Sequence, residues 1–260
     1  MDLALEGKTA LVTGGSRGIG RAIALALARQ GMNVALAARD EAALRSVAAE
    51  ARAAGAGAHV HACDLREAAE PARFVAAAAQ AFGRIDLVVA NAGATKRGDF
   101  FALGDEDFAD GFALKYFAHV RLVRAAWPHL VRGGGSVVHI GGIGGKTPGA
   151  EFTVGGSVNA AVTAFAKAMA ERGIHDGVRV CVVNPGSIAT DRLRTRIQAL
   201  AAAEGLDEAA AAGAMARRLG IARFGTPEEV AAVVLFLASA PAAYVQGAVL
   251  DVDGGATRTI

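Results

Sequence analysis

The glycine-rich stretch TGGSRGIG, residues 13–20, is the segment whose residue types and spacing point most directly to chemistry. It follows a short apolar run and precedes a stretch of helical period, so a helix N-terminus would face whatever the loop holds. Gly14 permits a tight turn, Gly18 lets backbone amides approach a diphosphate, and Gly20 lets the helix pack close to a sheet. The stretch therefore predicts binding of a dinucleotide through its phosphates.

The end of the second apolar run bears on which dinucleotide is bound. A site for NAD usually carries an acid there, which hydrogen-bonds the ribose 2′-hydroxyl. This chain has Arg39, followed by Asp40. Arg39 and Arg17 of the glycine-rich loop can hold a 2′-phosphate from two sides, because guanidinium groups form paired hydrogen bonds with phosphate. In the alternative, both arginines are solvated; Asp40 is expected to open the next helix. We expect NADP(H) to be preferred, with NAD(H) as the second choice.

Three further arginines, Arg192, Arg194 and Arg196, begin an Arg- and Ala-rich helical stretch at about residues 191–220. Their charge would suit an acidic or phosphorylated substrate. Arginines at alternate positions on a short stretch are more typical of a solvated face. The length of the stretch predicts a helical insertion that acts as a lid.

The hydrophobic pattern predicts the scaffold that must position these residues. Short apolar runs without polar alternation alternate with longer stretches of helical period, which indicates a parallel sheet covered on both faces. The predicted fold is α/β, a doubly wound (Rossmann) sheet of about seven strands in three αβα layers, with ligands at the carboxyl ends of the strands. The strands are predicted at 8–13, 33–38, 58–63, 84–90, 136–140, 179–183 and 248–252, and the helices near 18–30, 40–54, 66–82, 105–130, 152–172 and 227–239.

Composition limits the classes of function. The 260 residues are 53% hydrophobic, which is enough for a large buried core, and no linker or repeat divides them, so one domain over 1–260 is expected. A net charge of +2 with 20% charged residues gives no broad basic field, which argues against nucleic acid as a partner.

The cysteines and the apolar runs indicate the compartment. Cys63 and Cys181 lie inside strand-like runs, so buried thiols are expected rather than a disulfide or a metal site. The N-terminus has no positive region typical of a signal peptide, and apolar runs such as 231–238 are too short to span a membrane. The prediction is a cytoplasmic protein with neither metal nor membrane partner.

Taken together, the motifs resemble those of the short-chain dehydrogenase/reductase family over residues 8–255. The matching motifs are TGGSRGIG (13–20), CDL (63–65), ANAG (90–93), NPGSIATD (184–191), GTPEEVA (225–231) and VDGG (252–255). Their order and spacing make the resemblance specific. Motifs and arginines together give the predicted cofactor-binding residues: Gly14, Ser16, Arg17, Gly18, Ile19, Gly20, Arg39, Asp64, Leu65, Asn91, Ala92, Gly93, Asn159, Pro185, Gly186, Ile188 and Thr190.

The residues at the family's usual active-site positions depart from its pattern. The family uses a serine after strand five, a YxxxK pair at the start of the next helix, and an asparagine in the helix before strand five. The resemblance places Gly142 at the serine, Gly155 at the tyrosine, Asn159 at the lysine and Lys115 at the asparagine. A slip in alignment does not restore the tyrosine, because the only tyrosines are Tyr116 and Tyr244.

Three functions are compatible with this pattern. The favoured one is an oxidoreductase with an unorthodox site, in which Lys115, water or a neighbour protonates the substrate while Asn159 contacts the ribose. Desolvation and a nearby cation would lower the pKa of Lys115, unless this lysine merely extends to solvent. The alternatives are a cofactor-binding sensor or assembly protein without turnover, and a hydrolase or lyase on the same fold. The substrate cannot be read from the sequence.

The resemblance also implies assembly. In the family, the helices before and after strand five commonly pair with their symmetry mates, and here these are 105–130 and 152–172. Ala160, Ala164 and Ala168 form a small-residue face that permits close helix approach. A homo-oligomer, a tetramer or a dimer, is expected. His139, inside strand five, is expected to be a hydrogen-bonded core histidine.

Overall fold

Seven parallel strands form one sheet at the centre of the protein. The structure, a computed structural model, describes residues 3–259. The strands are β1 Thr9–Thr13, β2 Asn33–Ala38, β3 Ala58–Ala62, β4 Leu87–Ala90, β5 Ser136–Ile140, β6 Arg179–Pro185 and β7 Val249–Val252. Their order is β3-β2-β1-β4-β5-β6-β7, with every neighbouring pair parallel. The order reverses between β1 and β4, which is where a doubly wound sheet forms its ligand crevice.

Helices cover both faces of this sheet. One layer holds α1 Gly18–Arg29, α2 Glu41–Ala53 and α9 Pro227–Ala238; the other holds α3 Glu70–Phe82, α5 Ala118–Gly133 and α6 Thr153–Asp176. Alternate residues of a strand point to opposite faces, so Val12 packs in the first core and Leu11 in the second. The predicted three-layer α/β fold is confirmed.

Two predicted elements begin later than the sequence pattern suggests. The run predicted as a strand at 84–90 becomes strand only at Leu87. Just before it, the Asp86 side chain accepts hydrogen bonds from the Arg84 guanidinium (2.8 Å) and from the Thr9 amide (2.9 Å). The helix predicted from residue 66 begins at Glu70, with Pro71 in its first turn, a position that suits proline.

The long helix predicted at 105–130 is interrupted. It consists of α4 Asp105–Gly111, a π-helical turn at Phe112–Phe117, and α5, which ends at Gly133 before the left-handed Gly134 (φ 61°). The prediction of one regular helix was wrong, because apolar periodicity does not reveal a π turn. Such turns occur mostly as single insertions within α-helices and are frequent at functional sites, and this one carries Lys115.

The predicted insertion after β6 is a pair of helices. These are α7 Asp191–Glu204 and α8 Glu208–Leu219, joined at the left-handed Gly205 (φ 65°). Gln198 and Glu208 are hydrogen-bonded at 3.0 Å, and Arg218 pairs with Glu204 at 2.7 Å. In the part of the chain from 3 to 259, no helix combines the length and apolarity needed to cross a membrane.

Candidate cofactor cleft and active site

The glycine-rich loop leaves the N-terminus of α1 open at the end of β1. Gly14 is left-handed (φ 66°), and a Cβ on Gly20 would lie 2.8 Å from the Gly14 carbonyl carbon, so neither position accepts a side chain freely. Arg17 precedes α1 without any side chain capping the helix. The first amides of α1, over Gly18 and Ile19, are therefore available to an anion, which fits the diphosphate of a dinucleotide. Ser16 lies in the same loop, half-buried.

The end of β4 is fastened to this loop. Thr13 Oγ1 accepts hydrogen bonds from the amides of Asn91 (2.9 Å) and Ala92 (3.0 Å), and Asn91 Nδ2 donates to the Thr13 carbonyl (2.8 Å). Gly93 follows, and a Cβ there would lie 2.8 Å from the Cδ of Lys115. The structure thus brings the predicted residues 91–93 beside the glycine-rich loop and packs them against Lys115.

The residues after β2 and β3 surround the place expected for the adenosine. Asp40 Oδ1 accepts the Ala43 amide at 3.0 Å, so this acid caps α2. Arg39 and Arg17 are exposed, and neither forms an ion pair with a described carboxylate. This arrangement fits a 2′-phosphate at least as well as a hydroxyl.

The strand β3 side of this region holds Asp64 and Leu65. Leu65 is buried, and Asp64 Oδ1 accepts the Arg66 amide at 3.0 Å. The hydrogen bond from Arg66 lowers the pKa of Asp110, and the charge of Arg39 lowers it further. The charges of Arg39 and Asp110 therefore interact, and the Asp110 carboxylate would compete with a phosphate for Arg39.

The segment after β6 closes the crevice from the other side. The Gly186 amide donates to Val252 O at 3.0 Å, which orients the turn after Pro185, and Ile188 forms a bridge with Gly225. Thr190 reaches the glycine-rich loop, since a Cβ on Gly18 would lie 3.3 Å from its Cγ2. The predicted residues of β1, β4 and β6 thus converge on one crevice.

Glycine at 155 and at 144 makes room for an aromatic ring that sequence reasoning missed. A Cβ built on Gly155 would overlap the ring of Phe152, and one on Gly144 would lie 2.7 Å from Phe152 Cδ1. The Arg97 guanidinium carbon lies 4.3 Å from the centre of the same ring. In the sequence, Phe152 is a single phenylalanine among glycines. The glycines indicate that space is left near them, but they do not indicate which side chain occupies it.

Asn159 and Gly142 face each other at the inner end of this region. A Cβ on Gly142 would lie 2.9 Å from Asn159 Nδ2. Asn159 is buried, and its Oδ1 has no hydrogen-bond partner within the described chain. A buried acceptor usually has a hydrogen-bond partner, so this oxygen fits the predicted contact of Asn159 with the ribose, in which it would accept a hydrogen bond from a ribose hydroxyl.

Lys115 lies between β4 and β5. Its Nζ donates to the Gly141 carbonyl at 2.8 Å, and its half-buried stem packs on Gly93. Burial and, second, the charge of Arg192 lower the pKa of this ammonium to about 7. Arg192 itself donates to the Gly93 carbonyl at 2.9 Å. The prediction that desolvation and a nearby cation act on Lys115 agrees with this geometry.

Two histidines form a neutral pair behind Lys115. His119 Nε2 is 3.2 Å from the Ala92 carbonyl and must donate to it, so its Nδ1 accepts from His139 Nδ1 at 3.3 Å. Burial lowers the pKa of His139 to about 4 and that of His119 well below its usual value. His139 is the hydrogen-bonded core residue that its sequence position suggested.

One group of possible metal-ligating side chains is present among residues 3–259, although the sequence predicted none. The ligand atoms of His61, Cys63 and Glu70 lie within 4.8 Å of one another at the end of β3. Glu70 is already engaged by His61 (3.0 Å) and by Arg73 (2.6 Å). Burial, with Glu70 and Asp64 nearby, raises the pKa of the Cys63 thiol to about 12. These contacts account for the cluster as a hydrogen-bonded His61–Glu70 pair, with Arg73 paired to Glu70, beside a protonated thiol.

The crevice, the open helix N-terminus and the converging loops define a dinucleotide-binding α/β protein of the dehydrogenase class. A family described as Enoyl-(Acyl carrier protein) reductase matches residues 14–257. An uncharacterised oxidoreductase of Mycobacterium tuberculosis (strain CDC 1551 / Oshkosh) is 36% identical over 97% of this chain and 93% of its own length. The chain belongs to the short-chain dehydrogenase/reductase family.

Solved structures are similar over the whole fold. L-sorbose reductase from Gluconobacter frateurii, complexed with NADPH and L-sorbose, has a TM-score of 0.96 and 31% identity, covering 100% of both chains. An NADPH-bound short chain oxidoreductase from Pseudomonas aeruginosa PAO1, described as containing an atypical catalytic center, has a TM-score of 0.90 and 31% identity over 97% of this chain and 98% of its own. A 7α-hydroxysteroid dehydrogenase holding NADH has a TM-score of 0.88 and 27% identity, covering 99% and 97%.

Proposed function

We propose that this protein is an NADP(H)-dependent oxidoreductase that interconverts a carbonyl and an alcohol, with Lys115 in the place of the usual proton donor. The observation that carries the proposal is the half-buried Lys115 ammonium at the end of β5, 2.8 Å from the Gly141 carbonyl, with its pKa lowered to about 7. A general acid works best when its pKa is near the working pH.

The chain's own groups would hold the cofactor by backbone and charge. The amides at the start of α1 and the side chains of Arg17 and Arg39 suit its phosphates. Asn159 Oδ1, which has no hydrogen-bond partner among residues 3–259, suits a ribose hydroxyl. Bound NADPH contributes the hydride that reduces a carbonyl carbon. NADPH in the similar sugar reductase and in the similar oxidoreductase supports this cofactor, while NADH in the steroid dehydrogenase keeps NAD(H) as the alternative.

Lys115 completes the reaction at the substrate oxygen. When the substrate carbonyl is reduced, one N–H of the ammonium would give its proton to the carbonyl oxygen, which would produce an alcohol and leave a neutral amine for solvent to reprotonate. Burial and the Arg192 charge make the neutral amine accessible near neutral pH. The bond to the Gly141 carbonyl holds the Nζ in the crevice and leaves two further N–H groups for the substrate.

Replacing Lys115 tests this role. Lys115→Met keeps the apolar stem, so NADPH binding should stay within about twofold while kcat for carbonyl reduction falls by roughly 10²–10⁴-fold. Lys167→Met is the matched control, because Lys167 Nζ also donates to a glycine carbonyl at 2.8 Å but lies exposed on α6. Unchanged kcat in Lys115→Met would assign protonation to water instead.

A second function follows from the Phe152 ring. This ring fills the space above Gly155, and the Lys115 ammonium already has a partner in Gly141. Both features suit a protein that binds the cofactor without turnover, as a sensor or assembly component. Titration of NADPH fluorescence followed by a panel of carbonyl compounds separates the two functions: binding without oxidation of NADPH selects the second.

The surroundings of the site complete the proposal. We propose one domain in which α7 and α8 form a lid, because Arg192 of α7 contacts the Gly93 carbonyl across the crevice. Cys63 and Cys181 are free thiols that form no disulfide among the described residues, which suits a reducing cytoplasm.

The exposed face of Ala160, Ala164 and Ala168 on α6 suits a homo-oligomer. Sedimentation at micromolar concentration should give a tetramer or dimer mass; a monomer mass contradicts the assembly.

A further inference from the structure

The arginines around the crevice differ from those nearby because they form no ion pair with a described carboxylate. On the outer surface of the same region, Arg194 lies 3.8 Å from Glu208, and Arg223 lies 2.6 Å from Glu229. Arg97, Arg192 and Arg196 form no ion pair with any carboxylate of residues 3–259. Arg97 and Arg192 are exposed, so without an ion pair their guanidinium groups are available to an anion from outside the protein.

The period of α7 divides its arginines between two directions. Arg192 and Arg196 are four residues apart and share one face of the helix. Arg192 donates to the Gly93 carbonyl at 2.9 Å, so this face is turned toward the loop after β4. Arg194 points elsewhere, toward Glu208 of α8. Of the arginines expected to form a solvated face, Arg194 therefore fits that expectation. Arg196 instead lies one helical turn beyond Arg192, which contacts the crevice.

Arg97 occupies the facing loop. Its guanidinium stacks 4.3 Å above the Phe152 ring, and the Gly98 amide donates to Glu151 O at 3.0 Å, which ties this loop to the start of α6. Partial burial and then the charge of Arg196 lower the pKa of Arg97, whereas the Glu151 carboxylate acts in the opposite direction. The two arginines are therefore near neighbours, and stacking on Phe152 holds one of them in place.

The crevice thus holds two pairs of neighbouring arginines. In the inner pair, burial and then the charge of Arg17 lower the pKa of Arg192. The proposed cofactor carries phosphates that would neutralise this inner pair. No part of the cofactor is assigned to the outer pair, which lies by the Phe152 ring that fills the space at Gly155.

We propose that Arg97 and Arg196 bind an anionic group of the substrate, a carboxylate or a phosphate, while its carbonyl reaches Lys115. The proposal rests on the proposed function of this crevice as a carbonyl-reducing site. Two guanidinium groups on opposite elements can bind one anion from two sides, and each charge-assisted hydrogen bond strengthens the complex. The substrate class is therefore an acidic carbonyl compound rather than a neutral sugar or steroid.

Aldehydes of one shape and different charge test the proposal. Calorimetric titration of the complex with NADP⁺ measures binding without reduction. The probes are para-formylbenzoate against its methyl ester, and para-formylphenyl phosphate against para-methoxybenzaldehyde. We expect at least one anionic probe to bind about tenfold or more tightly than its neutral partner. The anionic probe that binds more tightly than its neutral counterpart identifies the recognised group as a carboxylate or a phosphate.

Variants locate the effect. Arg196→Met and Arg97→Met should each remove the preference for the anion by about tenfold and leave binding of the neutral probes unchanged. Arg194→Met, on the same helix but paired with Glu208, should keep the preference. Equal binding of anionic and neutral probes, no measurable binding of either anionic probe, or equal loss in Arg194→Met and Arg196→Met would overturn the proposal. Failure of the proposed reaction appears separately, as anion-selective binding without oxidation of NADPH.

Discussion

The two sides of the crevice are built by different means. On the side of β1 and β4, the positions are set by backbone: a left-handed Gly14, an α1 N-terminus without a side-chain cap, and amides held by Thr13. On the side of β5 and α6, they are set by side chains that occupy space left by glycine, chiefly Phe152. A backbone-built site recognises what all dinucleotides share, whereas a side-chain-built site can change its chemistry through few substitutions.

The largest effect on cofactor affinity is expected where a side chain intrudes on the backbone-built side. Gly20→Val places Cβ within 2.8 Å of the Gly14 carbonyl carbon, so the loop must move. Overpacking costs up to about 3 kcal/mol, which weakens NADPH binding roughly hundredfold. Gly213→Ala is the control, because a Cβ there meets only the end of the Arg217 side chain at 3.4 Å. Wild-type affinity in a folded Gly20→Val protein would break the comparison.

The pH profile examines the side-chain-built side. Lys115 donates only while protonated, so kcat/KM for carbonyl reduction should be flat at low pH and fall as pH rises through its pKa, approaching tenfold per unit. The lowered pKa of Lys115, about 7, places this fall near neutral pH. Alcohol oxidation needs the neutral amine and should rise over the same interval. Steady-state rates in both directions measure this; a profile unchanged by Lys115→Met contradicts it.

The exchange of space between Phe152 and Gly155 predicts coupled stabilities. Gly155→Ala should lower the free energy of unfolding by about 1–3 kcal/mol, because its Cβ meets the Phe152 ring. In a Phe152→Ala background the same change should cost little, which a double-mutant cycle in urea would reveal. Additive effects would show that the ring does not depend on this glycine.

The smallest effect concerns the choice of cofactor. Arg39→Ala should weaken NADPH binding at least about tenfold through the lost contact with the 2′-phosphate, and should hardly change NADH binding. Arg45→Ala on α2, where Arg45 pairs with Glu41, controls for net charge. Equal loss for both cofactors in Arg39→Ala would remove the arginine from the discriminating site.

The same division decides how far the sequence could predict this molecule. Strands β2 and β5 have the predicted bounds, because buried parallel strands appear as continuous apolar runs. The glycine-rich loop could be placed because backbone conformation restricts residue type locally. The Phe152 ring over Gly155 and the stacked Arg97 depend on contacts between distant segments. The π turn leaves no trace in the apolar periodicity. The ring contacts and the π turn are therefore seen only in the folded structure.

The π turn at Phe112–Phe117 is a place where the chain length can change by one residue while the packing of the helices is kept. A deletion inside a regular helix rotates everything beyond it by about 100° and disrupts packing on one side. This turn already contains one residue more than an α-helical turn, so deleting Ala113 would yield a continuous helix and leave α4 and α5 seated on their neighbours. Lys115 lies inside this turn, so its direction depends on the extra residue. The insertion or deletion of one residue here therefore changes the placement of the ammonium while the fold is kept.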